Sequence, residues 1–267
     1  MTLRLYYADT YLRAFDATIV ERADGGRRIY LDRSAFYPAS GGQPHDLGTL
    51  GGVAVTDVVD EEERVAHVLA EPYTGDDAVH GVINWSRRWD YTQQHTGQHL
   101  LSGAFMQLFG WPTVSVHFGD VMCTLELGVP AISPAQLRRT EELANALVAE
   151  NRTVAVTCED AAVVAPRLRK APVREGTLRV VTIEGLDVSA CGGTHVRSTG
   201  EIGAILLRRV EKLRDNTRVE FLCGARAIRR ARADYDALSD MAARLSAGVD
   251  EVAPLVQAQA DEVKSIA

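Results

Sequence analysis

Cysteine is scarce in this sequence of 267 residues, only four in all, and Cys123, Cys158, Cys191 and Cys223 stand far apart. That usage excludes a disulfide-framed secreted scaffold and makes a reducing, cytoplasmic setting the expectation. Long apolar runs are missing too. Arg4, Asp9, Arg13 and Asp16 break up the N-terminal segment before a signal h-region or a membrane span could form, so no membrane partner is expected. Nor is there an excess of positive charge: the formal net charge is -7, which argues against indiscriminate binding to polyanions. Repeats and low-complexity tracts are absent. With 46% hydrophobic residues, the remaining class is an ordinary globular protein with a sizeable buried core.

The charge that is present is unevenly placed. Residues 1–90 hold fifteen acidic against nine basic side chains, whereas residues 197–232 hold ten basic against four acidic. A nucleic-acid face is therefore expected near the second stretch, with Arg208, Arg209 and Arg218 as candidate phosphate contacts.

Texture divides the chain into three. Residues 1–85 carry short alternating runs (Ala17 to Glu21, Arg28 to Asp32, Val53 to Val59). Glycine turns at Gly25-Gly26, Gly41-Gly42 and Gly51-Gly52 separate them, which predicts a small antiparallel β-barrel or sandwich. Residues 86–224 mix helices and strands: a helix over Tyr91 to Phe109 stopped by Gly110-Trp111-Pro112, and another opened by Ser133-Pro134 and ending near Asn151. Strands are predicted at Thr113 to Leu127, Val154 to Thr157, Leu178 to Ile183, Ile202 to Val210 and Val219 to Cys223. The fold class expected is α+β. Residues 225–267 read as a helical tail broken near Gly248, either packed on its own core or forming a coiled-coil arm that joins a homodimer.

His95 and His99 lie four apart in Gln94-His95-Thr96-Gly97-Gln98-His99, so on a helix both imidazoles leave one face a turn apart. Cys191 and His195 flank Gly192-Gly193, whose conformational freedom lets both side chains converge. A thiolate with three imidazoles suits Zn2+. Gly97 is a poor helix former and is expected to mark the close approach of another group. Asp187, four residues before Cys191, is expected to orient one of the histidines. Four protein ligands fill a tetrahedron, so a structural zinc stands beside a catalytic one.

Three segments carry a family resemblance: Phe36-Tyr37-Pro38-Ala39-Ser40-Gly41-Gly42-Gln43-Pro44, Gln94 through Ser102, and Cys191-Gly192-Gly193-Thr194-His195-Val196. They continue in order into Thr199-Gly200-Glu201-Ile202-Gly203 and Arg218-Val219-Glu220-Phe221. Together they resemble the stand-alone alanyl-tRNA editing proteins, the AlaX-like family related to the editing domain of alanyl-tRNA synthetase. The resemblance implies hydrolysis of the ester in Ser-tRNA(Ala) or Gly-tRNA(Ala), with zinc on His95, His99, Cys191 and His195. It also implies that Gly41 and Gly42 take part in selecting serine. Because the barrel begins almost at Met1, the chain is expected to edit tRNA and not to charge it. Thr96 is expected to offer a hydroxyl to the seryl side chain, and His117 to line the same pocket. Two other readings stand beside this one: a non-catalytic tRNA-binding module with a structural zinc, and a zinc hydrolase for another acyl ester or amide.

Overall fold

The computed structural model describes residues 1–172 and 175–266. It divides into two compact units, Met1–Gly224 and Ala225–Ala267.

Six antiparallel strands open the larger unit: β1 (Ala14–Ala23), β2 (Arg28–Leu31), β3 (Gly48–Leu50), β4 (Val53–Glu61), β5 (Arg64–Leu69) and β6 (Ala78–Ile83). They pair in the order β1-β2-β5-β4-β3-β6, and β6 pairs back onto β1, closing a barrel. Alternation along the strands turns one set of side chains inward, so that Ile29, Leu31, Leu50, Val58 and Val65 form its core with Phe36. The Gly51-Gly52 turn joins β3 to β4 with both residues at positive φ, as a tight hairpin requires.

A second core surrounds α1 (Trp85–Phe109) and includes Leu100, Leu101, Phe105, Leu125 and Phe221. The helix starts earlier than its apolar spacing implies, because the Asn84 side chain caps it by accepting from Arg87 N at 3.2 Å. The hairpin β7 (Thr113–Phe118) and β8 (Cys123–Leu127) follows, where a single strand was predicted. Next comes α2 (Pro134–Ala149), opened by a full Ser133/Gln136 capping box with Pro134 in its first turn. A three-stranded antiparallel sheet holds β9 (Val154–Asp160), β10 (Thr177–Ile183) and β11 (Asp187–Ala190). Strands β12 (Ile205–Leu213) and β13 (Asn216–Cys223) complete a four-stranded sheet ordered β12-β13-β8-β7. Ile202, predicted to start a strand, instead ends a short 3₁₀ turn over Thr199–Ile202, and the strand begins at Ile205.

Every residue of α1 from Tyr91 to Phe105 is buried, polar ones included. Such a helix needs partners for its amides and hydroxyls. Gln94 donates to Cys223 O at 3.0 Å and accepts from Cys223 N at 2.8 Å, binding the helix to the β13 backbone, while Gln93 donates to Glu201 O at 2.9 Å. Gly97 has its explanation here: a methyl at that position would overlap Cys223 Sγ and press on Ile202.

The smaller unit contains α3 (Gly224–Arg244) and α4 (Val252–Ile266), interrupted by Ser246 at positive φ and by Gly248. Among the described residues no helix is long and apolar enough to cross a membrane.

Candidate metal centre

His95 and His99 project from α1 as their spacing requires, and the turn after β11 brings Cys191 and His195 to meet them. The candidate donor atoms of these four side chains all lie within 4.8 Å of one another. Cys191 Sγ is 3.4 Å from His95 Nε2 and 3.3 Å from His195 Nε2. A tetrahedral zinc with ordinary Zn–S and Zn–N bonds separates such donors by about 3.5 Å. The donor set and its spacing therefore fit a metal ion.

The far nitrogen of each ring is also committed. His99 Nδ1–H donates to Asp187 Oδ2 at 3.1 Å, and His95 Nδ1–H to Gln43 Oε1 at 2.8 Å. Thr96 Oγ1 gives its only proton to Thr92 O at 3.0 Å, so it accepts from His195 Nδ1–H at 3.2 Å and from Val196 N at 3.1 Å. With Nδ1 of all three rings turned outward to these acceptors, Nε2 is the atom each ring presents to a metal, which would take the place of any proton there.

Electrostatics concentrate charge at the sulfur. Burial opposes ionisation of Cys191, but the rings of His95 and His195 stabilise its thiolate and hold the pKa well below the usual thiol range. Burial takes His195 down to about 3, with His95 adding to the effect against the pull of Cys191. On His99 burial again works against charge, and the hydrogen bonds to Asp187 and Cys191 outweigh it, lifting the ring to about 9. Asp187 keeps its own carboxylate ionised against burial through His99 and Arg169, whose Nε donates at 2.5 Å.

A glycine and an arginine shape the cysteine turn. A methyl at Gly193 would overlap the His95 ring, so only glycine lets the turn close over that ligand. Arg179, on β10, donates to Cys191 O and Gly193 O at 2.8 Å each, and its guanidinium lies 5.3 Å from the Tyr7 ring centroid.

A cavity of about 520 Å³ opens onto the cluster, with His95, His99 and Cys191 in its wall beside Tyr37, Gly41, Gly42, Gln98, Val116 and Arg169. Gly41 and Gly42 sit at φ +57° and +86° in a loop between Tyr37 and Asp46, and a Cβ on Gly42 would meet Val116 O at 3.4 Å.

Several sequence expectations need correction. The Thr96 hydroxyl, fully buried and with its proton and both acceptor positions engaged, does not line the cavity and has nothing left to offer a seryl hydroxyl. His117 is exposed on β7 and lies outside the cavity wall, whereas its neighbours Val114 and Val116 line it. Arg208, Arg209 and Arg218, expected as phosphate contacts and not as cavity residues, stand on the β12–β13 hairpin. Arg218 is moreover engaged by Glu126 at 2.6 Å and Glu211 at 3.4 Å. Asp187 does face a histidine, as its position implied. Gln43, Arg169, Arg179 and Tyr37 were not singled out, and of these Tyr37 and Gln43 carried a signal, as members of the Phe36 to Pro44 segment.

Fold and cluster together define a protein in which a helix and a glycine turn bring three histidines and a cysteine into a cluster that could hold a metal ion, in the same unit as a barrel. Residues 178–220, which include Cys191 and His195, match the model of the threonyl and alanyl tRNA synthetase second additional domain. The chain is 36% identical over 243 residues to an alanine–tRNA ligase of Pyrococcus furiosus, covering 85% of this chain and 26% of that protein. It is 30% identical over 262 residues to the alanyl-tRNA editing protein Aarsd1 of Danio rerio, covering 91% and 64%, and 32% identical over 246 residues to the Aarsd1-A protein of Xenopus laevis, covering 90% and 60%. The chain thus spans about a quarter of the ligase and under two thirds of the editing proteins. It belongs to the alanyl-tRNA editing family.

Proposed function

We propose that this protein is a zinc-dependent hydrolase that clears serine or glycine from mischarged tRNA(Ala), acting in the cytoplasm where charged tRNA circulates. The observation that carries the reading is that His95, His99 and Cys191 face a cavity. A structural zinc normally sits in a closed shell, whereas a catalytic one must be reached by substrate. In this reading residues 1–85 form a barrel unit, residues 86–224 the editing unit and residues 225–267 a tail. Ile228 and Tyr235, each more than half exposed on α3, give that tail a surface suited to pairing with a second copy.

His95, His99, Cys191 and His195 hold the ion. Bound there, zinc supplies Lewis acidity toward an ester oxygen or a water. Asp187, Gln43 and Thr96 fix the imidazole tautomers so that the lone pairs point at the metal. Thr96 thus serves the centre by orienting His195 and not by touching substrate. Gly41 and Gly42 leave the cavity wall without side chains where the aminoacyl group enters, and Arg169 adds positive charge there. Arg208 and Arg209, on the β12–β13 hairpin, supply phosphate contacts that weaken steeply with salt.

The test is deacylation of Ser-, Gly- and Ala-tRNA(Ala) with zinc content measured on the same sample. Zinc-dependent release of serine or glycine is expected, with Ala-tRNA spared, and Cys191→Ala and His95→Ala should lose activity by two orders of magnitude or more while remaining folded. Undiminished turnover by folded Cys191→Ala would defeat the proposal. Tight tRNA binding without deacylation would favour a structural zinc in an RNA-binding module, and cleavage of small esters with indifference to tRNA would favour a different substrate.

A further inference from the structure

We propose that Gln43, carried on a loop of the barrel, is a positioning residue of the metal centre, fixing His95 in the tautomer that presents Nε2. The inference rests on the metal-centre reading above and deepens it.

Gln43 is 1% exposed. Its Oε1 takes two N–H groups, His95 Nδ1 at 2.8 Å and the Thr194 backbone N at 3.1 Å, while its Nε2 donates to Thr194 Oγ1 at 2.8 Å. A backbone N–H can only donate, so Thr194 dictates which end of the amide is the oxygen. An obligatory acceptor consequently faces His95, and the ring must carry its proton on Nδ1. The lone pair remains on Nε2, which points toward Cys191 Sγ.

The loop has the rigidity this task needs. Asp46 N donates to Tyr37 O at 2.9 Å and Tyr37 N donates to Asp46 Oδ2 at 2.6 Å, closing the segment on itself. Asp46 also accepts from Arg88 Nε at 2.9 Å, and Arg88, fully buried, donates onward to Thr10 O and Ala35 O. Arg88 lies on α1 about two turns before His95. The loop and the ligand it orients are thereby held to the same helix, and Gln43 also grips the Thr194 position inside the cysteine turn. One amide spans both halves of the donor set.

The experiment uses the full chain and two variants. Gln43→Met keeps the volume and removes the acceptor, whereas Gln43→Glu keeps an acceptor in place. Zinc affinity is read by competition with a chromophoric chelator, and geometry by the visible bands of the cobalt(II) protein. Gln43→Met should bind zinc about 10- to 100-fold more weakly and alter the cobalt bands, while Gln43→Glu stays much closer to the parent. Unchanged affinity and bands in Gln43→Met overturn the assignment. So does an equal loss in both variants, which would mark a packing role. A parent that binds neither ion removes the metal-centre reading along with the inference, so the two failures are distinguishable. ¹⁵N NMR of the zinc-loaded parent needs no variant: a protonated His95 Nδ1 is expected, and coordination through Nδ1 refutes the proposal.

Discussion

His67 offers a quantitative test of how the barrel is built. The ring is completely buried on β5, with Nδ1 3.1 Å from Ile29 O and Nε2 2.7 Å from Ser34 Oγ. A carbonyl can only accept, so Nδ1 carries the proton and Nε2 accepts from the serine hydroxyl, which itself accepts from Phe36 N at 3.1 Å. A second ring proton would have to displace the hydroxyl proton that fills this place, at a fully buried position. Burial accordingly pushes the pKa down from 6.5 to about 4, and the Ile29 carbonyl offsets only part of that. The sign follows from linkage: the unfolded chain takes up a proton near its ordinary value while the folded chain refuses it until about 4. The stability is fully present above about 6.5 and is lost as pH falls toward 4. The full loss is about 3 kcal/mol, and about 2 kcal/mol of it is gone by pH 5. Urea unfolding of the parent and of His67→Gln from pH 7.5 to 4.5 would measure it. Carboxylates and metal ligands affect both proteins alike, so the difference between the curves isolates this ring. The parent should lose stability faster than the variant below pH 6.5, and parallel curves would refute the argument.

The remaining predictions concern close packing and a buried charge. Gly193→Ala should place a methyl against the His95 ring and weaken zinc binding by at least about tenfold, measured by chelator competition, with the circular dichroism spectrum retained. Gly97→Ala should destabilise by about 1–3 kcal/mol because the methyl meets Cys223 Sγ; a cycle with Cys223→Ala, followed by urea unfolding, should show much of that loss relieved. Asp46→Ala leaves the Arg88 guanidinium buried without its counter-ion and should reduce stability by about 3–5 kcal/mol, whereas an effect under about 1 kcal/mol would mean that water reaches the arginine.

What could be read from the sequence depended on whether an interaction is local. The spacing of His95 and His99, the glycine turn between Cys191 and His195, the Ser133-Pro134 helix start and the alternating strands of the first 85 residues each lie within a few residues of one another. The partners that orient the ligands do not: Gln43 reaches His95 across 52 positions and Asp187 reaches His99 across 88. Thr96 illustrates a local signal that misled. Its place between two ligands is plain in the sequence, but a step of one residue turns a side chain about 100° around the helix, away from the cavity and against His195. His117 failed because the cavity wall takes in Thr113 to Val116 of its strand and stops one residue short of it. The arginines of β12 and β13 were legible as charge, and so was Glu211 as an acidic neighbour in the same run, but Glu126, which engages Arg218 from across the sheet, was not.

The enclosed helix α1 has a consequence for the evolution of this chain. An ordinary amphipathic helix such as α2, buried at Thr140, Ala144 and Leu147, has an outward face on which substitutions can accumulate, so its tolerance to change should rise and fall with the helical period. From Tyr91 to Phe105 there is no such face. A saturation scan across this stretch should show low tolerance at nearly every position and no periodicity, for the amides and hydroxyls as much as for the leucines. Variation in activity would then have to enter through the loops and strands around the cavity, with the helix inherited as a block.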